Sequence, residues 1–138
     1  MILNFSDKYT NFGLLFLRVA FGIMFLFHGY PKIVGGVDEW IKLGQVMEMI
    51  GITFAPEFWG FMAAFAEFFG GILLILGFFF RPACLLLFCT MAMATTMHIL
   101  KGDEFNIFSH ALEDAIVFFS LFFVGPGSFS IDKKLVNN

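Results

Sequence analysis

Near the end of the sequence, helical spacing brings an imidazole and two carboxylates onto one face. His110, Glu113 and Asp114 stand at positions i, i+3 and i+4, which share one face of a helix. Imidazole and carboxylate groups suit zinc or iron, and a histidine can also exchange protons near neutral pH. For His110 and Asp114 the sequence favours a simpler interpretation, in which polar groups near the end of a membrane span reach water.

Two further charges, Arg18 and Glu67, lie inside other apolar runs. At 1.5 Å per residue, we expect Arg18 roughly 18 Å and Glu67 roughly 15 Å below one membrane surface. An ionisable group at such depth costs at least about 2.5–3.5 kcal/mol. Matching depth and opposite charge predict an ion pair between them near the midplane. This pair could serve chemistry or only fix helix register, and the sequence gives the two alternatives equal weight.

The other two histidines, His28 and His98, are expected roughly 3 Å below the same surface, and Glu113 roughly 8–9 Å below it. Three spans can therefore converge on one polar pocket near the outer face. For His28, His98 and Glu113, a functional and a structural role are equally consistent with this depth. Such a set could hold a divalent metal ion or could move protons, so the cofactor stays open.

Membrane-spanning helices must position these groups, because the chain has too few charges to coat a soluble domain. It has 138 residues, of which 59% are apolar and 14% are charged, whereas soluble domains average about 45–50% apolar and 25% charged. A span needs roughly 20 apolar residues, so this length allows about four. The predicted fold is all-α: one integral membrane domain, residues 1–138, forming a four-helix bundle.

The apolar runs predict spans at about residues 11–30, 57–80, 82–100 and 107–124. We expect Pro31 to end the first span, because proline cannot continue the helical hydrogen bonds. We expect the pair Arg81-Pro82 to divide the second span from the third, since proline suits the first turn of a new helix. Arg18 interrupts the first run and no A-x-A cleavage site follows it, so that run is treated as a span rather than a signal peptide.

Between the first two spans, the segment 38–50 repeats apolar residues at helical spacing. This pattern predicts a short helix in the membrane interface, with Trp40 as its aromatic anchor. An ordinary packed loop helix agrees with the pattern at least as well as a lid over a substrate does.

Charge counts bear on orientation and on partners. An even number of spans puts both termini on one side, with Lys8, Arg81, Lys133 and Lys134 against Lys32, Lys42 and Lys101 on the other. This excess of basic residues favours cytoplasmic termini.

A net charge of −3 without a basic run argues against a nucleic acid partner.

The spacing of the two cysteines is not that of a redox pair. Cys84 and Cys89 are five residues apart, which turns them roughly 140° from each other on a helix. Dithiol exchange of the C-x-x-C kind is therefore disfavoured.

Several short segments, in this order and spacing, together resemble the DoxX family over about residues 14–132. They are Leu17-Arg18, the run from Phe27 to Lys32, Glu67 before Gly70-Gly71, the turn from Gly77 to Arg81, His98, Glu113 and the run from Gly125 to Asp132. The resemblance implies a bacterial four-helix inner-membrane protein labelled as an oxidoreductase. It also implies links to a thiosulfate:quinone oxidoreductase and to resistance against quinones, catechols and oxidative stress. Ser128 departs from the pattern, because relatives often place a basic residue there.

Three classes of function are considered for these residues. The first is a quinone-linked membrane oxidoreductase, in which His98 or His28 hydrogen-bonds a quinone oxygen and Glu67 or Glu113 exchanges protons with it. The second is a non-enzymatic scaffold, or a lipid-like ligand-binding partner of a redox complex. A proton-coupled carrier is a third class, although four spans are few for a carrier unless the protein dimerises.

The candidate residues and partners follow from these classes. The catalytic candidates are Glu67, His98 and Glu113, and the binding candidates are Arg18, His28, His110 and Asp114. The expected partners are the lipid bilayer, a quinone, a redox enzyme and a second copy of the chain.

Overall fold

The computed structural model describes residues 7–137, and that part of the chain contains helices and turns but no strand. The helices are α1 (Asp7–Val34), α2 (Gly36–Gly44), a 3₁₀ helix (Gln45–Ile50), α3 (Pro56–Leu76), α4 (Phe80–Lys101), α5 (Phe105–Val124) and α6 (Ile131–Val136). Helices α1, α3, α4 and α5 are long and apolar enough to cross a membrane. The expected all-α membrane bundle, with a short helix between its first two spans, is confirmed.

The prediction that Pro31 ends the first span is wrong, because α1 continues through Pro31 to Val34. A proline this close to the end of a helix removes one donor, the N–H that would reach the carbonyl four residues earlier. The Pro31 carbonyl still accepts a hydrogen bond from Gly35 N at 3.0 Å. As a result Lys32 remains helical and keeps a fixed direction relative to the bundle.

Glycines set the register between α1 and α3. A β-carbon added at Gly22 would collide with the carbonyl oxygen of Gly71, and one added at Gly29 would collide with the backbone of Glu67 and Phe68. The two helices are therefore antiparallel and in backbone contact at these levels. Position 29 lies opposite Glu67, and the N-terminal half of α1 lies opposite the C-terminal end of α3.

Aromatic rings close the bundle between α1 and α5. The ring of Phe118 on α5 is fully buried and meets Phe21 edge to face at 5.8 Å and Phe25 at 5.0 Å. Leu74 on α3 and Leu87 on α4 belong to the same buried cluster. The core thus joins all four spans, and such aromatic pairs add to the burial of their area.

The segment after α1 is helical as predicted, but it changes from α to 3₁₀ geometry after Gly44. Trp40 packs its ring against Phe61 with centroids 5.0 Å apart and donates from Nε1 to the Lys32 carbonyl at 2.9 Å. A β-carbon at Gly60 would collide with the Trp40 backbone. The interpretation as a packed loop helix therefore agrees with the contacts, since Trp40 uses its polar atom inside the protein.

The turn between α3 and α4 is held by the C-terminal segment. Helix α4 begins at Phe80, so Pro82 falls in its first turn as predicted. Both carboxylate oxygens of Asp132 accept hydrogen bonds there, from Phe79 N at 3.0 Å and Phe80 N at 2.9 Å. Asp132 N in turn donates to the Gly77 carbonyl at 3.0 Å. These hydrogen bonds attach the chain after α5 to the turn between α3 and α4.

Candidate functional site

A cavity of about 680 Å³ lies between α2, α3 and α4, and it is large enough for a small organic ligand. Most of its wall is apolar, including the side chains of Met47, Trp59, Met62, Met93 and Met97. A small number of polar groups also line it, among them Lys32, Glu67 and His98. We call this space the α2–α4 cavity.

An ion pair between Lys32 and Glu67 forms part of the wall. The Lys32 ammonium donates to both carboxylate oxygens of Glu67, at 2.8 Å to Oε1 and 2.6 Å to Oε2. The Glu67 side chain is only 5% exposed, whereas that of Lys32 is 31% exposed. The pair is possible because Gly29, three residues before Lys32, lets α1 approach the backbone of α3 at Glu67.

The predicted ion pair between Arg18 and Glu67 is wrong. Arg18 is 1% exposed and donates instead to three carbonyl oxygens, those of Pro126 at 2.5 Å, Phe129 at 2.7 Å and Ile75 at 3.4 Å. The expected depth of Arg18 assumes that the first span ends at residue 30, but α1 continues to Val34. The glycine register places Arg18 beside Gly77, ten residues along α3 from Glu67 and roughly 15 Å away along the axis.

His98 is oriented by an acidic residue that follows its own helix. Its Nδ1 lies 2.7 Å from Oδ2 of Asp103. The chain can return in this way because Gly102 adopts a left-handed conformation, with a φ of 79°, after the last turn of α4. A carboxylate on Nδ1 fixes the ring and leaves Nε2 as the nitrogen available to a ligand.

The remaining predicted residues do not join this cavity. None of His28, His110, Glu113 and Asp114 lines it. His28, His110 and Glu113 are exposed, while Asp114 is half-buried and interacts electrostatically with the other three. His98 thus lines the same cavity as Lys32 and Glu67, whereas His28, His110, Glu113 and Asp114 form a group on α1 and α5 outside that lining.

The metal interpretation gains no support from the geometry. Across residues 7–137, no three side chains of His, Cys, Asp or Glu lie close enough together to hold a metal ion. His110, Glu113 and Asp114 share a helix face and His28 of α1 interacts with Asp114, but these side chains do not form such a group in that range.

The sequence analysis missed two residues of the site, Lys32 and Asp103, because both were assigned to loops. For each residue, a pattern in the sequence indicates its position in the site. Lys32 stands four residues after His28 and three after Gly29, on the helix face that Gly29 brings against α3. Asp103 follows a glycine at a helix end, a position from which the chain turns back over the last turn.

The cysteines are free and differently placed, as their spacing predicts. Cys84 is buried in the core, whereas Cys89 is exposed and lines the α2–α4 cavity. Their separation leaves no route to a disulfide within the bundle.

Comparisons with known proteins identify relatives over more than nine tenths of the chain. The family model DoxX matches residues 13–99, a range that contains Lys32, Glu67 and His98. The inner membrane protein YphA of Escherichia coli K12 is 31% identical across 92% of this chain and 97% of its own. An uncharacterised protein of Haemophilus influenzae is 31% identical, covering 96% and 97%. The inner membrane protein YqjF of Escherichia coli K12 is 30% identical, covering 93% and 95%. No solved structure matches the chain.

Proposed function

The chain belongs to the DoxX family, and on this premise we propose that it is a quinone-linked membrane protein that binds the quinone ring in the α2–α4 cavity. The observation that carries the proposal is a mostly apolar cavity whose lining includes a Lys–Glu ion pair and a carboxylate-oriented histidine, with Lys42, Thr90 and Lys101 also on its wall. A quinone has the same distribution of chemistry, a flat apolar ring with carbonyl oxygens at its edges.

The apolar wall suits the face of such a ring. Thioether sulfurs make favourable contacts with aromatic rings and adapt to irregular shapes, and four methionines line the cavity together with Trp59. Lys32 gives two of its three N–H groups to Glu67 and keeps one for a ligand. Glu67 already balances the charge of Lys32, so the ammonium needs no counter-charge from a neutral ligand whose carbonyl oxygen accepts its third N–H.

His98 is the residue placed to exchange a proton. Asp103 accepts from Nδ1, and a protonated His98 would then carry its transferable proton on Nε2. Reduction of a quinone takes up protons together with electrons, and we propose that a redox partner protein supplies the electrons. The roles that the chain itself performs are binding, orientation and proton exchange at His98.

Two native residues report on the cavity and test the proposal. A short-chain ubiquinone analogue should quench the fluorescence of Trp59 in a saturable manner and should protect Cys89 from a maleimide, since both side chains line the cavity. Trp59→Phe, which leaves Trp40 outside the cavity, is the control for the quenching. Quenching that rises without saturation, with no protection of Cys89, would overturn the proposal.

The same apolar wall favours a second candidate, a non-enzymatic scaffold that holds a lipid-like ligand beside a redox enzyme. The two candidates differ in competition and in electron transfer. A fatty acid that displaces the quinone analogue, combined with no reduction of the analogue in membranes, would favour the scaffold.

We propose the bacterial inner membrane as the location, with both termini in the cytoplasm. The relatives named above as inner membrane proteins support the location, and the count of basic residues at the two ends of the spans supports the orientation. A fusion of alkaline phosphatase to the C-terminus should be inactive, and a fusion of a fluorescent protein that folds only in the cytoplasm should be bright.

A further inference from the structure

A second cavity, of about 740 Å³, lies at the opposite end of the bundle from His98. It is bounded by the first turn of α4, the end of α5 and helix α6. Since Phe80 begins one span and Val124 ends another, this cavity lies at the level where the spans leave the membrane. That is the level of phospholipid headgroups.

Two cationic side chains line this cavity, Arg81 and Lys133. Arg81 is held by a hydrogen bond from Nε to the Phe122 carbonyl at 3.0 Å. Its two terminal nitrogens make no hydrogen bond within residues 7–137, and Lys133 makes none through its side chain there. Gly125 leaves room beside the guanidinium, because a β-carbon at that position would lie 3.3 Å from Nη2.

The acidic residue of the lining, Asp132, lowers the net charge of the cavity but forms no ion pair with either cation within the described residues. Asp132 directs both carboxylate oxygens to the backbone N–H groups of Phe79 and Phe80 at the start of α4. Its charge is thus used at the positive end of a helix dipole, and the cavity keeps two cations available to an anion.

Exposed apolar side chains border the same cavity. Phe79, Val124, Leu135 and Val136 all line it, and their exposure ranges from 58% to 80%. A soluble anion would leave this border uncovered, whereas a lipid would place glycerol and acyl groups against it. We propose that the cavity binds an anionic glycerophospholipid, with Arg81 and Lys133 contacting the phosphate and the apolar border contacting the chains.

Helix α6 offers a matched pair of variants for the test. Lys133 and Lys134 are exposed neighbours on α6, but only Lys133 lines the cavity. Native mass spectrometry of the purified protein should show retained phosphatidylglycerol in preference to phosphatidylcholine. We expect Lys133→Gln to lower the bound phosphatidylglycerol about tenfold, the loss of one charge-assisted contact, and Lys134→Gln to leave it unchanged.

Arg81→Gln should produce a comparable loss, with the melting temperature in detergent measured alongside. Should that variant fail to fold, the pair at positions 133 and 134 still decides the matter. Equal losses in Lys133→Gln and Lys134→Gln, or equal retention of the two lipids by the unmodified protein, would overturn the proposal. Displacement of phosphatidylglycerol by millimolar inorganic phosphate would show a site for a soluble anion and would overturn the assignment to a lipid.

Discussion

Lys32 near the end of α1 and Glu67 in the middle of α3 form a two-oxygen ion pair, with Nζ 2.6 and 2.8 Å from the carboxylate. The pair joins two spans whose backbones touch one turn earlier, at Gly29. The pair therefore lies beside the contact that sets the register of α1 and α3. It also compensates the buried charge of Glu67 and forms part of the wall of the α2–α4 cavity.

Breaking this pair on one side should destabilise the protein strongly. We expect Lys32→Met to lower the free energy of unfolding by about 3 kcal/mol, because the Glu67 carboxylate then stays buried without its counter-charge. The double variant Lys32→Met, Glu67→Leu should recover most of that loss, since a packed apolar pair replaces the ionic one. Chemical unfolding in detergent micelles measures both.

The exposed pair of Lys42 and Glu39, at 3.8 Å, is the control for that experiment. Lys42→Met should change stability by less than about 1 kcal/mol, as is usual for surface pairs. A single substitution at Lys32 that is no more harmful than the one at Lys42 would contradict the structural role given to the pair.

Ligand binding should separate His98 from Glu113, although both were catalytic candidates in the sequence. We expect His98→Gln to weaken binding of the ubiquinone analogue about tenfold, because a hydrogen bond to the ligand is lost. Glu113→Gln should leave binding unchanged, since Glu113 does not line the cavity. Titration of the Trp59 fluorescence gives both affinities, and a larger loss in the Glu113 variant would relocate the site.

Two glycines of α1 should respond oppositely to a methyl group. Gly29→Ala places a β-carbon against the backbone of α3, so we expect a loss of about 2 kcal/mol. Gly13→Ala meets nothing within 4 Å and should be neutral or stabilising by up to about 1 kcal/mol, because alanine favours the helix. Melting temperatures of the two variants compare them directly, and equal effects would argue against the register derived from these contacts.

Arg18 should control the attachment of the C-terminal segment. Arg18→Gln removes the guanidinium that donates to the Pro126 and Phe129 carbonyls, and these partly buried acceptors then cost less than the roughly 1–3 kcal/mol each that full burial would cost. We therefore expect faster proteolysis after α5 in this variant than in Lys8→Gln, which changes an exposed residue. Unaltered proteolysis of the segment would show that other contacts suffice to hold it.

The fold could be predicted from the sequence because the thickness of the bilayer's hydrocarbon core sets the length of a spanning helix. Apolar runs of about that length therefore identify the spans. The pairing of charges did not follow, because depth along each helix says nothing about how two helices are offset. That offset is set by backbone contacts at Gly22, Gly29 and Gly71, which the sequence marks only as small residues.

Helix ends limited the prediction of the site itself. A helix that ends at Pro31, as the sequence predicts, excludes Lys32 from the first span. Asp103 was assigned to a loop, although the left-handed Gly102 returns it to His98. Each of these outcomes depends on a local backbone geometry that residue type alone leaves undetermined.

The contact of Arg18 with Pro126 also bears on how the protein is made. Arg18 enters the membrane with the first span, while the carbonyl that accepts its hydrogen bond is 108 residues further along the chain. At about 5–20 residues per second, synthesis of that stretch takes on the order of ten seconds. Throughout that interval the nascent chain lacks the Pro126 and Phe129 carbonyls that accept from Arg18 in the finished protein. The burial of Arg18 is therefore completed only when the C-terminal segment arrives, and a chain truncated before Pro126 would leave the guanidinium without these two acceptors.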